Sequence, residues 1–273
     1  MSGNEKQIEY WNGPVGERWA KLQPTVDVNM ASIADALLAF AAPKPGERVL
    51  DIGCGGGTTT LLLSKAVGPS GDVTGVDISA PMLAVARGRG IAANFIEADA
   101  SAHSFNATHD LVFSRFGVMF FDEPVAAFAN IRKALKPHGR IAFVCWRPFV
   151  ENAWSFAPYS AAKSLLPEEP PSDPFAPGPF AFADCGRLRN ILDEAGFADI
   201  RINPLDSAMH MGADVEEAAM QATRIGPLAR AMNGLDDAQR EKVRGVVKEV
   251  LAKYRTKEGV APGAACWLVG ATV

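Results

Sequence analysis

A single α/β domain, built on a largely parallel sheet with helices on both faces, is the fold this sequence predicts, and three observations carry it. Short apolar runs alternate with helix-period segments from residue 48 to about 146, which is the order of βαβ units with right-handed crossovers. The first apolar run ends in a glycine cluster, Gly53-Cys54-Gly55-Gly56-Gly57, directly ahead of a helix-period segment. The 273 residues, 48% apolar and 21% charged, suffice for one large core and are too apolar for a disordered chain.

Residues 5–40 read as helices, and Asp27 or Asn29 stands where it can cap the last of them. In that helix Ile33, Leu37, Leu38 and Phe40 recur at helical spacing. Pro43-Lys44-Pro45-Gly46 then forces a turn. Residues 48–52 form an apolar run too short for a helix and suited to a buried strand, and 58–67 read as the next helix. A strand over 73–76 follows. Ser79 is a natural N-cap for a helix with Pro81 in its first turn, running to about Arg87. Residues 94–96, 111–113 and 140–145 are three more strands. The helix 124–135 lies between the last two and is ended by Lys136-Pro137-His138-Gly139.

Beyond 146 the alternation stops. Residues 147–183 contain eight prolines and five phenylalanines. Such a stretch is expected to be irregular rather than helical, yet it is too aromatic for a solvated linker, so it reads as a folded excursion over the sheet edge. A helix near 187–195, stopped by Gly196, and a strand near 200–203 resume the regular pattern. Asp214 with Glu217, and Asp236 with Gln239, have the spacing of capping boxes that open two helices. Val243, Val246, Val247, Val250, Leu251 and Tyr254 make one apolar face of the second. Residues 266–269 form a last apolar strand.

Several function classes are disfavoured at once. The formal net charge is −4, from 27 basic and 31 acidic residues with no long basic run, so a nucleic-acid partner has little electrostatic support. There is no apolar run of membrane-spanning length, and the polar start MSGNEKQIEY is unlike a signal peptide. Cys54, Cys145, Cys185 and Cys266 are scattered without a CxxC pair, the pattern of free thiols in a reducing compartment rather than of a metal site. These features point to a cytoplasmic protein with no metal.

The chemistry is expected at the strand ends. Strand, glycine turn, helix is the arrangement that brings backbone N–H groups to a ligand. Here the glycines are spaced G-x-G-x-G over Gly53, Gly55 and Gly57. The dinucleotide spacing G-x-G-x-x-G would need glycine where Thr58 stands, which disfavours an oxidoreductase on a similar fold. Asp77 ends the next strand, where an acid accepts hydrogen bonds from ribose hydroxyls. Asp99 follows the third strand, placed to accept from an adenine amino group while the backbone of Ala100 reads the ring edge.

VLDIGCGGG (residues 49–57), GVDIS (75–79) and EADA (97–100) together resemble the signature set of class I S-adenosylmethionine-dependent methyltransferases. The resemblance covers about residues 45–146. It implies a Rossmann-like sheet of seven strands, six parallel and the last antiparallel, with 266–269 supplying the antiparallel strand. It implies S-adenosylmethionine as cofactor, with Asp51 and Gly53 near its methionine end, Gly55 and Gly57 in the loop beneath it, Asp77 at the ribose and Asp99 at the adenine. The cofactor-binding set it implies also takes in Cys54, Ile78, Met82, Ala100, Ser114, Arg115, Phe116 and Trp19. Tyr10 to Trp19 (YWNGPVGERW) and Ser114 to Phe121 (SRFGVMFF) resemble the ubiquinone/menaquinone-biosynthesis branch of these enzymes.

DNA amino-methyltransferases carry a D/N-P-P-Y motif after the fourth strand and catechol-type enzymes a metal-binding aspartate; this chain has Ser114-Arg115-Phe116 there. The expected organisation is one domain: a helical N-terminal cap (1–44), a cofactor-binding core (45–146), lid insertions (147–183 and 213–257), and the rest of the sheet (184–212 and 258–273). The expected reaction is methyl transfer by in-line displacement to a small, apolar or aromatic acceptor. The alternative is a non-catalytic S-adenosylmethionine-binding sensor or scaffold. No catalytic base is identified by the sequence; His210 and Tyr159, from the lid region, are the candidates.

Overall fold

The computed structural model describes residues 4–168 and 173–273. The N-terminal helices are α1 (Glu5–Asn12), α2 (Pro14–Asn29) and α3 (Ala31–Ala41). The alternating region then gives β1 (Arg48–Ile52), α4 (Thr58–Val67), β2 (Asp72–Asp77), α5 (Ala80–Gly88), β3 (Asn94–Glu97), β4 (His109–Arg115), α6 (Pro124–Arg132) and β5 (Leu135–Trp146). After it come α7 (Ala153–Ala162), α8 (Cys185–Glu194), β6 (Ala198–Ala208), α9 (Val215–Ala222), α10 (Pro227–Ala231), α11 (Asp237–Leu251), a short ribbon of β7 (Arg255–Thr256) with β8 (Gly259–Val260), and β9 (Gly263–Thr272).

The main sheet has seven strands in the order β3-β2-β1-β4-β5-β9-β6. β9 runs antiparallel to both β5 and β6, and the pairs from β3 to β5 are parallel. This is the Rossmann-like sheet of six parallel strands and one antiparallel strand. The carboxyl ends of β1, β2 and β3 share one edge, since Ile52 pairs with Val76 and Asp77 with Glu97. Such an edge is where open α/β sheets bind ligands. Val49, Leu50, Leu111, Val112, Phe113, Phe143 and Val144 are almost wholly buried at the sheet centre, which explains why β1 and β4 read as continuous apolar runs rather than alternating ones.

Local expectations met mixed outcomes. Ser79 caps α5, its side chain accepting from the Met82 N–H, and Asp236 with Gln239 forms the full capping box of α11. Asp214 caps α9, but the Glu217 carboxylate reaches the Ala213 N–H instead of closing a strict box. Neither Asp27 nor Asn29 caps α3, whose N-cap is Met30. Asp27 is drawn instead into a tertiary cluster, accepting from Gln23 Nε2 (2.6 Å), Thr58 Oγ1 and Arg89 Nη2 (2.7 Å). Helix α6 ends at Arg132, and Lys136 to Gly139 belong to the start of β5, where the register against β4 shifts.

The largest departure is α7. Residues 147–183 were expected to be irregular, yet Ala153–Ala162 is helical with Pro158 inside it. The helix packs against α9, α10 and α11 and against β9, and that burial outweighs the roughly 3 kcal/mol or more that an interior proline costs. Within the proline-rich segment, residues 169–172 lie outside the described residues.

Candidate active site

The glycine turn after β1 is held open by backbone geometry. Gly53, Gly55 and Gly57 all have φ in the left-handed region, at 66°, 53° and 81°. Gly53 also passes the loop after β4 so closely that an added Cβ would lie 2.5 Å from Gly117 Cα. Only glycine combines that φ with that approach. Asp77, at the end of β2, ties the turn down: its carboxylate accepts from the Gly55 N–H (2.7 Å) and the Ser79 N–H (2.8 Å). Burial raises the Asp77 pKa, and the N–H groups of Ser79, Gly55 and Ile78 oppose the rise. Asp99 accepts from Ser101 N and Oγ and from Asn4 Nδ2 (3.0 Å), which draws the start of the N-terminal helices over the β3 end.

A cavity of about 220 Å³ opens at this edge. From the strand ends it is lined by Gly53 to Gly56, Asp77, Ile78, Met82, Asp99 and Ala100, with Asn4, Trp11, Trp19 and Gln23 from the N-terminal helices. Its wall also takes in Phe116, Trp146, Trp154, Ser155 and Pro158, with Met209, Met211, Ile225 and Leu228. Phe116 stacks on Trp146 with centroids 4.1 Å apart and planes at 12°, and Trp146 meets Trp154 at 5.0 Å. Phe116 sits at φ 63°, a costly conformation for an aromatic residue that this stacked wall holds in place.

The charged groups lining the cavity, among the described residues, are Asp77, Asp99 and Arg115. Burial lowers the Arg115 pKa, against the pull of Asp27 and Asp51, and its Nη1 has no hydrogen-bond partner. Gln23 Oε1 and Asn4 Oδ1 are likewise buried without partners. Burial, with Asp51 and Asp77 nearby, holds the Cys54 thiol well above its ordinary pKa, so it stays protonated and is no nucleophile. Among the described residues no group of three or more His, Cys, Asp or Glu is arranged to hold a metal ion, and no helix is long and apolar enough to cross a membrane.

Of the residues singled out from sequence, Gly53, Cys54, Gly55, Asp77, Ile78, Met82, Asp99, Ala100, Arg115, Phe116 and Trp19 line this cavity. Gly57, Asp51 and Ser114 do not. Gly57 is the N-cap of α4, and its Cβ position faces Ala86 and Ile91. Ser114 is buried, bonding Ile52 O (2.7 Å) and accepting from Gly117 N (3.2 Å), so it braces the two loops. Phe149, Phe156 and Tyr159 do not line the cavity with Trp154; Phe156, Tyr159 and Phe180 pack around Phe149. Neither His210 nor Tyr159 lines the cavity. Sequence reasoning missed Asn4, Gln23, Trp146 and Ser155. Gln23 carries a readable signal, because it lies at helical spacing with Val26 and Met30, a polar residue on a buried stripe.

Asp51 is fully buried beneath the turn, its Oδ2 accepting from Thr59 and Thr60 (2.8 and 2.7 Å). Burial pushes its pKa up from 3.8 to about 6, opposed by the two threonines and Arg115. The folded chain therefore holds a proton that the unfolded chain has released between those pH values. Stability from this group is present below pH 3.8 and is lost as pH rises through about 6. The loss is on the order of 3 kcal/mol. Asp51→Asn is expected to abolish this component, so that denaturant unfolding from pH 4 to 7 shows wild type losing more stability than the variant. Parallel profiles would remove Asp51 as the titrating group.

A family model described as a methyltransferase domain matches residues 49–139. A demethylmenaquinone methyltransferase of Staphylococcus aureus is 27% identical over 186 residues, spanning 62% of this chain and 76% of that protein. Among solved structures, a Bacillus halodurans protein assigned as a methyltransferase aligns over 88% of this chain and 98% of its own, with a TM-score of 0.55 at 18% identity. Phosphoethanolamine N-methyltransferase 2 of Haemonchus contortus, solved with S-adenosyl-L-methionine, aligns over 88% of this chain and 52% of its own, with a TM-score of 0.53 at 19% identity. The sheet order, the glycine turn with its strand-end acids and these relatives agree: residues 49–139 match a methyltransferase domain on a Rossmann-like sheet, and together they support an S-adenosylmethionine-dependent methyltransferase.

Proposed function

We propose that this methyltransferase acts on a small, largely apolar or aromatic organic molecule, held beside S-adenosylmethionine in the single cavity at the strand ends. The observation that carries this is the continuity of that cavity, from the glycine turn and strand-end acids to the wall of Phe116, Trp146 and Trp154. Pockets for small molecules are mostly apolar with a few polar anchors, and the aromatic wall of this one fits that description. The Staphylococcus aureus relative, named for demethylmenaquinone, supports a small-molecule acceptor.

The residues present suit the cofactor. Asp77 is placed to take the ribose hydroxyls, and Asp99 with the Ala100 backbone and Asn4 to take the adenine. The turn from Gly53 to Gly56, with Cys54, lies under the cofactor; Ile78, Met82, Trp19 and Phe116 offer it apolar contact. The orphaned Arg115 Nη1 and Gln23 Oε1 match the carboxylate and ammonium of a methionyl tail, donor to anion and acceptor to cation. Asp51, Gly57 and Ser114 act from beneath, by shaping the turn.

The cofactor supplies an already activated methyl group. The protein's part is then to align the acceptor with it and to keep water out. On this reading one domain is divided by role. Residues 1–44 cap the cofactor held by 45–146, 147–183 and 213–257 cover the acceptor, and 184–212 with 258–273 complete the sheet. Incubation of cell extract with methyl-tritiated S-adenosylmethionine and the enzyme is expected to place label in low-mass, solvent-extractable material. Label confined to protein or nucleic acid would overturn the acceptor class.

A further inference from the structure

We infer that Ser155 selects the acceptor: its hydroxyl is the hydrogen-bonding anchor for the oxygen of a planar aromatic ring lying against Trp154, a hydroxyl or carbonyl substituent on that ring. The inference rests on the acceptor reading above. Ser155 stands in the first turn of α7 and is 4% exposed. It lines the cavity, and its Oγ is buried without a partner. A buried hydroxyl left unpaired is destabilising, and a ligand oxygen would relieve it.

Of the cavity's other polar groups, the unpartnered Arg115, Gln23 and Asn4 are assigned above to the cofactor, and those of Trp154, Asn29 and Gln221 are engaged. Trp154 Nε1 donates to Asn152 Oδ1 (3.1 Å), and that oxygen also accepts from the Ala265 N–H (2.9 Å). The Trp154 ring is thereby pinned between α7 and β9, and its polar edge is spent. Asn29 and Gln221 bond one another at 2.6 Å. The cavity that Ser155 lines also presents the ring surfaces of the Phe116–Trp146–Trp154 wall and the side chains of Ile225 and Leu228. Gly226, at φ 89°, keeps the space narrow and clear: an added Cβ would lie 3.2 Å from Trp154 Cζ3. A slot with aromatic walls and one hydrogen-bonding group favours a flat ring with one oxygen over a charged or highly hydroxylated molecule.

The test uses two flat probes that differ by one hydroxyl, 2-naphthol and naphthalene. Each is titrated into the full-length enzyme saturated with S-adenosylhomocysteine and followed by tryptophan quenching. Wild type is expected to prefer 2-naphthol. Ser155→Ala is expected to weaken 2-naphthol roughly five- to tenfold, to leave naphthalene unchanged, and to leave the melting temperature equal or higher, since it removes an unpaired group. Ser155→Thr is expected to keep the preference for 2-naphthol. An unchanged ratio in Ser155→Ala, or a clear loss of thermal stability showing that the hydroxyl is a structural partner, would overturn the assignment of Ser155 while leaving the methyltransferase reading intact. Failure of wild type to bind either probe although it binds S-adenosylhomocysteine would overturn the aromatic slot. Failure to bind S-adenosylhomocysteine at all would overturn the cofactor placement and this inference with it.

Discussion

Asp77→Ala is expected to weaken S-adenosylhomocysteine binding roughly ten- to a hundredfold, while Asp72→Ala leaves it almost unchanged. The two residues bound the same strand, β2, and differ in which edge they occupy. Asp77 accepts from the N–H groups of Gly55 and Ser79 and lines the cavity. Its loss removes the charged acceptor offered to the ribose and the tether that shapes the glycine turn. Charge-assisted hydrogen bonds of this kind are worth about 1.5–3 kcal/mol, and each 1.4 kcal/mol is tenfold in affinity. The Asp72 side chain makes a long contact to Arg48 (3.8 Å) with both side chains more than 40% exposed, an exposed pair of the kind that contributes little. Calorimetric titration of both variants decides the matter. Equal losses would show that the ligand does not lie across the carboxyl end of β2.

A second, differently shaped effect is expected from the far end of the same ligand. Arg115→Met should weaken S-adenosylhomocysteine by roughly tenfold to a hundredfold and leave 5′-methylthioadenosine, which lacks the amino-acid tail, close to its wild-type affinity. Gln23→Leu should show the same selectivity at a smaller size, because a neutral acceptor is lost rather than a cation. Both groups carry a buried atom without a partner, Nη1 and Oε1, on the wall beside the turn. Methionine and leucine preserve bulk without polarity, so packing loss is limited. A variant that weakened both ligands equally would have acted on the shape of the cavity, and the pairing of Arg115 with the methionyl carboxylate would be withdrawn.

The alternating core was legible in the sequence because its determinants are local. Residues 48–52 and 58–67 were bounded as they stand in the structure, since a short β-rich apolar run, a glycine break and a helix-period segment depend only on near neighbours. The same holds for Ser79, whose side chain needs only the N–H of Met82 three residues on. Gly53, Asp77 and Asp99 line one cavity because parallel strands joined by short crossovers bring their carboxyl ends to the same side.

Local sequence therefore accounts for the fold class and for the strand-end lining of the cavity. Tertiary structure alone decided the rest, because those features are set by contacts between distant segments. Asp27 had the local chemistry of a helix cap but was taken by Thr58 and Arg89, since a charged carboxylate gains more from a guanidinium and a hydroxyl than from one backbone N–H. Residues 153–162 had the composition of a loop but became helical between α11 and β9, where burial outweighs propensity. Asn4 and Asp99, 95 positions apart, meet only once the N-terminal helices have folded over the sheet. Trp154 and Phe149, five residues apart, part company because α7 turns one toward the cavity and leaves the other against Phe156 and Phe180. Periodicity reveals that a residue is buried, but which partner it is buried against depends on how the whole chain closes.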